Sequence, residues 1–368
     1  MPTLFSPLQL GAIELPNRIL MAPLTRCRAE PGHVPGPLMA QYYAQRAGAG
    51  LIIAEATMVM EGNSAFWSEP GIHAPAQVAG WKLVTDAVHA AGGRIFLQIW
   101  HGGRACHPLM NEGAQPVAPS ALAIQGDGIY TLDGTKVPHV EPRALADEEL
   151  PVIIAGFRAA AANAKAAGFD GVEVHGANGY LLDEFLRNGS NRREGPYGGP
   201  LPHRARLLFE VLDAVSQEWG SDRVGLRISP LNSYNDMRDG DPVGLTAWLA
   251  TELNAFHLAY LHVMRGDFFG QQHGEVLTPA RAHFKGPLIG NMGYTPEEAE
   301  AAISSGSLDA VAFGTPFLAN PDLPERIRQG APLNQPDQAT FYTPGPRGYT
   351  DYPTLANAAT PRAHDPSA

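Results

Sequence analysis

The residues whose types and spacing most clearly suggest catalytic chemistry lie within residues 168–180, GFDGVEVHGANGY. A short apolar run ends at His175, and the glycine-rich turn that follows places Asn178 and Tyr180 just beyond a predicted strand. One turn can direct the side chains of His175 and Asn178 at a single acceptor atom, and Tyr180 adds a phenol that is a neutral acid at pH 7. Two donors beside an acid suit a substrate whose oxygen gains negative charge while a neighbouring carbon takes up a proton.

Strands and helices alternate along most of the chain. Short apolar runs predict eight strands at 18–22, 51–56, 95–100, 171–175, 224–229, 260–264, 287–291 and 310–314. Helical periodicity follows most of them, at 38–47, 76–91, 147–167, 203–219, 246–256, 295–305 and 321–329. Apolar strands between helices predict a parallel sheet covered on both faces. Eight such units, with no Gly-x-Gly-x-x-Gly motif after any strand, favour an α/β fold of the closed (β/α)8 TIM-barrel type over a doubly wound sheet.

Three segments lie outside this repeat. Residues 1–17 predict a hairpin that plugs the N-terminal mouth of the barrel. Residues 102–146, rich in glycine and proline, predict a lid or insertion between the third strand and its helix. Residues 354–368 predict a mobile tail. The 368 residues fit one barrel of roughly 250 residues with insertions or two average domains, and the repeat favours a single domain over 1–368.

Composition excludes several classes of protein. The formal charge is −11, and the only basic cluster is the pair Arg192-Arg193, so we expect no nucleic-acid partner. The chain has no run of 18 apolar residues and its first residues lack a signal-peptide pattern, which predicts a cytoplasmic protein without a membrane contact. Cys27 and Cys106 have no metal-ligand spacing, so we expect no metal.

Further polar or small residues fall at the carboxyl ends of the predicted strands. They are Pro23, Leu24 and Thr25 after the first strand, Ala56 in the second, Gln98 and Trp100 in the third and Arg227 in the fifth. The turns after the seventh and eighth strands, 290–293 and 314–317, are where barrels commonly bind phosphate through backbone N–H groups. A planar cofactor between those turns and His175 would meet Gln98 and Arg227. Taken singly, each of these two is more often a polar group satisfied inside the barrel than a cofactor ligand.

Glu173 shares strand parity with His175, so we expect its side chain to point into the barrel. A lone carboxylate there would be costly. We therefore expect hydrogen bonds or an ion pair with an arginine of a neighbouring strand, Arg227 being the first candidate.

A series of short motifs runs through the chain in a fixed order. They are LPNR at 15–18, APLTR at 22–26, YYAQR at 42–46, EAT at 55–57, QIWH at 98–101, HGANGY at 175–180, LLDEF at 181–185, SNR at 190–192, YGG at 197–199, ANPDL at 319–323 and GYTDYP at 348–353. In this order and spacing, the chain resembles the old yellow enzyme family of flavin-dependent ene-reductases from residue 4 to about residue 352.

The resemblance implies a barrel that holds FMN, receives electrons from NADPH or NADH and passes them to an activated alkene, as a monomer or homodimer. It implies that His175 and Asn178 bind a carbonyl or nitro group, and that Tyr180 donates the proton. The implied cofactor-binding residues are Pro23, Leu24, Thr25, Ala56, Gln98, Arg227, Asn291, Gly293, Gly314 and Thr315. The implied substrate-binding residues are Thr25, Phe66, Trp100, His175, Asn178 and Tyr349.

The chain departs from the family pattern in four places. Thr315 stands where an arginine is common, which predicts that backbone N–H groups carry more of the phosphate binding. Phe66 stands where a tyrosine facing the substrate is frequent. The segments 193–197 and 200–204 also differ, and we expect them to affect supporting loops only.

Three other classes of protein compete with this interpretation. A Schiff-base aldolase needs a lysine at a strand end, and the lysines stand at 82, 136, 165 and 285, in predicted helices, the insertion and a loop. A metal-dependent barrel enzyme needs clustered His and carboxylate ligands, and Glu55 with His175 makes no such cluster. The alternative that stays open is a non-catalytic flavin-binding barrel protein.

Overall fold

Eight parallel strands close into a barrel at the centre of the structure, a computed structural model that describes residues 1–126, 128–131 and 133–358. The strands are β1 (Ile19–Met21), β2 (Ile52–Met58), β3 (Ile95–Trp100), β4 (Gly171–Gly176), β5 (Val224–Ile228), β6 (Tyr260–Met264), β7 (Leu288–Asn291) and β8 (Ala310–Phe313). Strands that are consecutive in the chain are adjacent in the barrel, and β8 pairs with β1 to close it. Every predicted strand overlaps one of these, so the predicted TIM barrel is confirmed.

Helices surround the barrel. They are Pro37–Ala44, Pro75–Ala90, Leu150–Ala166, Leu181–Leu186, Leu201–Arg204, Arg206–Trp219, Pro242–Glu252, Leu277–His283, Pro296–Ser304, Thr315–Ala319, Leu323–Gln329 and Leu355–Ala358. The helix after β5 begins four residues earlier than predicted, because the Asp241 side chain accepts from the Gly244 N–H and Pro242 occupies the first helical position. The prediction missed Leu277–His283, a helix too short to show clear periodicity.

The N-terminal hairpin closes the bottom of the barrel as expected. Leu8–Leu10 and Ile13–Leu15 pair antiparallel. Leu10 and Leu15 are fully buried and belong to a cluster that includes Phe96 and Tyr260, near the N-terminal ends of β3 and β6. This apolar plug separates the barrel interior from solvent at the end opposite His175.

The insertion at 102–146 folds into short pieces rather than an added domain. Val117–Ala118 pairs with Arg143–Ala144, and Gly128–Tyr130 pairs with Lys136–Pro138 as a hairpin. Most of the predicted tail, from residue 359 onward, lies outside the described residues. Within the described part of the chain, no helix is both long and apolar enough to cross a membrane.

Glycines in β4 and β5 make room for two aromatic rings inside the lower barrel. A Cβ added at Gly171 would lie 2.3 Å from the Phe96 ring, and one at Gly225 would lie 2.1 Å from the Tyr260 ring. The two rings are 6.0 Å apart between centroids. Because protein cores are close-packed, a side chain at either glycine would displace these rings.

Gly225→Ala should therefore lower the free energy of unfolding by roughly 1–3 kcal/mol through overpacking against Tyr260. Denaturant unfolding measures the loss. Gly48→Ala is the matched control, because a Cβ there meets nothing within 4 Å. Equal stability of the two variants would contradict this account of the lower barrel.

Candidate active site

The turn after β4 is bound to the loop after β5. The Asn178 N–H donates to Ser229 Oγ at 2.7 Å, and Asn235 Nδ2 donates to the Asn178 carbonyl at 3.1 Å. The Gly179 N–H donates to Asp183 Oδ2 at 2.9 Å. Asn178 and Gly179 both have positive φ, +59° and +70°, which bends the chain sharply past the strand. These contacts hold the turn in one conformation.

The turn brings the three predicted catalytic side chains to the mouth of the barrel. The His175 and Tyr180 rings are 5.3 Å apart between centroids, and Trp100 packs edge-on against Tyr180 at 5.0 Å. Asn232 Nδ2 donates to Asn178 Oδ1 at 2.9 Å, which leaves the Asn178 amide nitrogen free to donate. His175 and Tyr180 are buried, and Asn178 is half-buried.

Burial sets the charge of these groups. Desolvation lowers the pKa of His175 well below its ordinary value, and the positive potential of Arg227 lowers it further. Desolvation raises the pKa of Tyr180 well above its ordinary value, with Tyr234 and Tyr342 adding to the effect. At neutral pH the imidazole is therefore uncharged with one N–H, and the phenol keeps its proton.

Glu173 points into the barrel as predicted, but the predicted arginine partner is wrong. Gln98 Nε2 donates to Glu173 Oε1 at 2.7 Å, and His262 Nδ1 lies 2.8 Å from Oε2. Glu173 and His262 are separated by β5, so this contact can form only through the barrel interior. Arg227 binds Asn291 instead, because the register sets Arg227 beside His262 and His175 rather than beside Glu173.

Arg227 is a buried cation with spare hydrogen-bonding capacity. Its Nη2 donates to Asn291 Oδ1 at 2.7 Å, and Asn291 Nδ2 donates to the Ala312 carbonyl at 2.7 Å. Its Nε has no acceptor among the described residues. A buried donor left without a partner is costly, so an electron-rich group of a ligand fits beside it. The hydrogen bond from Arg227 Nη2 to Asn291 Oδ1 holds the guanidinium group in one orientation.

The remaining expected cofactor residues lie around the same mouth. Pro23 and Ala56 are buried, whereas Leu24 and Thr25 are partly exposed after β1. Gly293, in the loop after β7, and Thr315, at the start of the helix after β8, are exposed and follow neighbouring strands, since Asn291 of β7 pairs with Ala312 of β8. A flat ring between Arg227, Gln98 and Thr25, with its phosphate toward those loops, fits this arrangement. Arg227 Nε, which has no acceptor among the described residues, would suit the FMN ring, and the exposed backbone at Gly293 and Thr315 would suit its phosphate.

A cavity of about 1150 Å³ opens above this mouth. The predicted substrate residue Phe66 lines it, as do Tyr180, Tyr234, Tyr342 and the lid residue Tyr130. The predicted substrate residue Trp100 is fully buried and supports this wall through its contacts with Phe66 and Tyr180. The cavity is slightly larger than the usual small-molecule site, which has a volume of roughly 300–1000 Å³.

Tyr349, expected to bind substrate, does not line the cavity. It is fully buried, stacks on Tyr42 with ring centroids 3.9 Å apart, and lies under the guanidinium group of Arg28 at 4.7 Å. Tyr342 takes the position at the cavity instead, 6.3 Å from the Phe66 ring. Tyr342 lies in a proline-rich segment without periodicity, so no pattern in the sequence distinguished the two tyrosines.

Glu55 supports the strand-end loop that carries Thr25. Its Oε2 accepts from the Arg26 N–H at 3.0 Å, and its Oε1 accepts from the Tyr43 hydroxyl at 3.0 Å. Desolvation raises the pKa of Glu55 to about 7. The carboxyl thus holds the loop in place while remaining close to its titration point at neutral pH.

This raised pKa predicts a pH dependence of stability. Between about pH 4.5 and 7 the folded chain keeps the Glu55 proton that the unfolded chain has lost, so stability falls as pH rises. Glu55→Gln removes this titration. The free energy of unfolding of the variant, relative to wild type, should rise by about 1.4 kcal/mol per pH unit across that range. Denaturant unfolding at several pH values measures it, with the exposed Glu61→Gln as control. A difference independent of pH would contradict the assignment.

Comparison with known proteins places this geometry in a family. The profile of the NADH:flavin oxidoreductase / NADH oxidase family matches residues 3–334. A probable flavin mononucleotide-dependent alkene reductase of Leishmania infantum is 52% identical over 356 residues, which is 96% of this chain and 97% of that protein.

Solved structures agree with the sequence comparison. Morphinone reductase in complex with tetrahydroNAD superposes with a TM-score of 0.93 at 49% identity, covering 98% of this chain and 99% of that chain. The old yellow enzyme from Trypanosoma cruzi superposes with a TM-score of 0.93 at 46% identity, covering 96% of this chain and 99% of that chain. The chain therefore belongs to the NADH:flavin oxidoreductase / NADH oxidase family, as an FMN-binding oxidoreductase of the old yellow enzyme type.

Proposed function

We propose that this protein reduces the C=C bond of α,β-unsaturated carbonyl or nitro compounds, with FMN as cofactor and NADPH or NADH as reductant. The observation that carries the proposal is the meeting of neutral His175, the Asn178 amide and protonated Tyr180 just past the carboxyl end of β4, where Tyr180 lines the aromatic cavity. A Schiff-base aldolase would need a lysine at a strand end, and a metal-dependent barrel enzyme would need clustered His and carboxylate ligands. Family membership and the alkene reductase relative support the same reaction.

His175 and Asn178 polarise the substrate in this mechanism. The carbonyl or nitro oxygen accepts a hydrogen bond from each, and negative charge that develops on this oxygen strengthens both bonds. In a water-poor site each such bond supplies roughly 2–4 kcal/mol of transition-state stabilisation. The uncharged imidazole suits this task, since its N–H can donate to the substrate oxygen without the cost of burying a cation.

Tyr180 acts as the proton donor. FMN, when bound and reduced by the nicotinamide cofactor, would supply the hydride to the β-carbon, and Tyr180 would donate the proton to the α-carbon. The high pKa of the Tyr180 phenol keeps its proton in place until the substrate gains negative charge. Trp100 packs edge-on against the Tyr180 ring and helps to hold it in place.

Colour distinguishes the enzyme from a non-catalytic flavin-binding protein. We expect a yellow preparation that is bleached by NADPH or NADH under anaerobic conditions and recoloured by cyclohexenone. A yellow protein that neither reductant bleaches would overturn the proposed activity.

His175→Ala should weaken the binding of phenols while FMN remains bound. A phenolate places its oxygen where the substrate oxygen lies, and it gives a long-wavelength charge-transfer band over the flavin. Loss of one hydrogen bond to a charged oxygen should raise the phenol dissociation constant about 10- to 150-fold. His203→Ala, on the exposed outer surface, is the control. Unchanged phenol affinity in His175→Ala would rule out the assigned role.

Tyr180→Phe should separate the two half-reactions. Reduction of the bound flavin by the nicotinamide cofactor should keep its rate, because no substrate carbon is protonated in that step. Reoxidation by enones should slow by about 10²- to 10⁴-fold, and nitroalkenes should suffer less because their nitronate products can leave unprotonated. Stopped-flow absorbance follows both steps. An equal loss in both would contradict the proton-donor role.

A further inference from the structure

Arg265, the residue after β6, binds the loop that follows β7. Its Nε donates to the Met292 carbonyl at 2.9 Å, and its Nη2 donates to the Gly293 carbonyl at 2.9 Å. The guanidinium group also lies 3.8 Å from the centroid of the Tyr294 ring and 3.1 Å from Glu298 Oε2. Four contacts therefore hold this side chain on one side of the loop.

These contacts determine where the loop directs its amide groups. In a trans peptide unit the C=O and N–H bonds point in opposite directions, and the described chain has no cis peptide bond. Since Arg265 draws the carbonyls of Met292 and Gly293 toward itself, the N–H groups of Gly293 and Tyr294 point away from it. Neither N–H has an acceptor among the described residues. Two neighbouring amides are thus left to bind an anion.

The loop does not adopt this conformation without cost. Met292 has φ +85° and Gly293 has φ +69°. A non-glycine residue is rarely found in that region unless its surroundings hold it there. The fork of Arg265, bound to both carbonyls, is such a restraint.

The residues that follow β8 bring no charged side chain to the neighbourhood of the β7 loop. Gly314 and Thr315 follow β8 directly, next to the β7 loop in the barrel, and the Thr315 side chain is neutral. Arg265 is thus the cation bound directly to the β7 loop, although Glu298 offsets part of its charge.

We propose that Arg265 is the positioning residue that lets this loop bind the FMN phosphate, and that it sets the preference of the protein for FMN over riboflavin. The inference rests on FMN as the cofactor and is independent of the alkene chemistry. Arg265 acts through the Gly293 and Tyr294 amides, which it orients, and through its charge behind them.

Competition between the two flavins tests the inference directly. The holoprotein is dialysed to equilibrium against a mixture of FMN and riboflavin, and the ratio of bound flavins is measured by chromatography after release. Riboflavin shares the ring system and lacks the phosphate, so the ratio reports the phosphate site alone. A variant that weakens binding of the shared ring system affects both flavins equally, so it leaves their bound ratio unchanged.

Arg265→Ala should lower the bound FMN-to-riboflavin ratio about tenfold or more. Arg265→Lys keeps the charge but cannot bind both carbonyls as a fork, so it should also lower the ratio. Arg206→Ala is the matched control, because Arg206 also pairs with a glutamate and lies over a tyrosine ring, but on the outer surface.

An unchanged ratio in both Arg265 variants would overturn the inference. So would an equal fall in Arg206→Ala. Failure of the proposed alkene chemistry gives a different result. The holoprotein would then keep its preference for FMN over riboflavin, but added alkenes would not restore the yellow colour of the reduced protein.

Discussion

A carboxylate buried inside a barrel must be paired, because desolvation of an isolated charge costs several kcal/mol. Glu173 meets this requirement with Gln98 from β3 and His262 from β6. The pairing fixes the Gln98 amide at the point where the flavin ring is expected. Arg227 is held separately by Asn291 from β7. Side chains of five consecutive strands are thus locked before any ligand arrives, which is the preorganisation that electrostatic catalysis requires.

The same desolvation sets the chemistry above this floor. It moves the pKa of His175 down and the pKa of Tyr180 up, so both groups are uncharged at neutral pH. A neutral donor and a protonated acid can then act on one substrate at the same time. The site therefore depends on the barrel and on the packed Trp100 ring, which bury these groups.

The walls of the cavity come from loops, in contrast to its floor. The lid hairpin Gly128–Tyr130 and Lys136–Pro138, together with Tyr342 from the C-terminal segment, surrounds the space above Tyr180. Strands position the reacting groups rigidly, whereas loops tolerate change. This division allows one reaction to be kept while the range of alkenes varies, and the volume of about 1150 Å³ admits bulky substrates.

The sequence by itself determined the barrel and the floor of its site, because both follow from local patterns. Apolar runs between helical segments define the strands, and the position just past a strand end defines His175, Asn178 and Tyr180. Contacts between distant segments were decided only by the tertiary structure. The barrel register, rather than any local signal, gives Glu173 the partners Gln98 and His262 instead of Arg227. The packing of the C-terminal segment buries Tyr349 and brings Tyr342 to the cavity, and the spacing of β6 and β7 sets Arg265 against Gly293. Residues far apart in the chain meet only when the barrel closes. A local sequence pattern does not show which distant residues will come into contact.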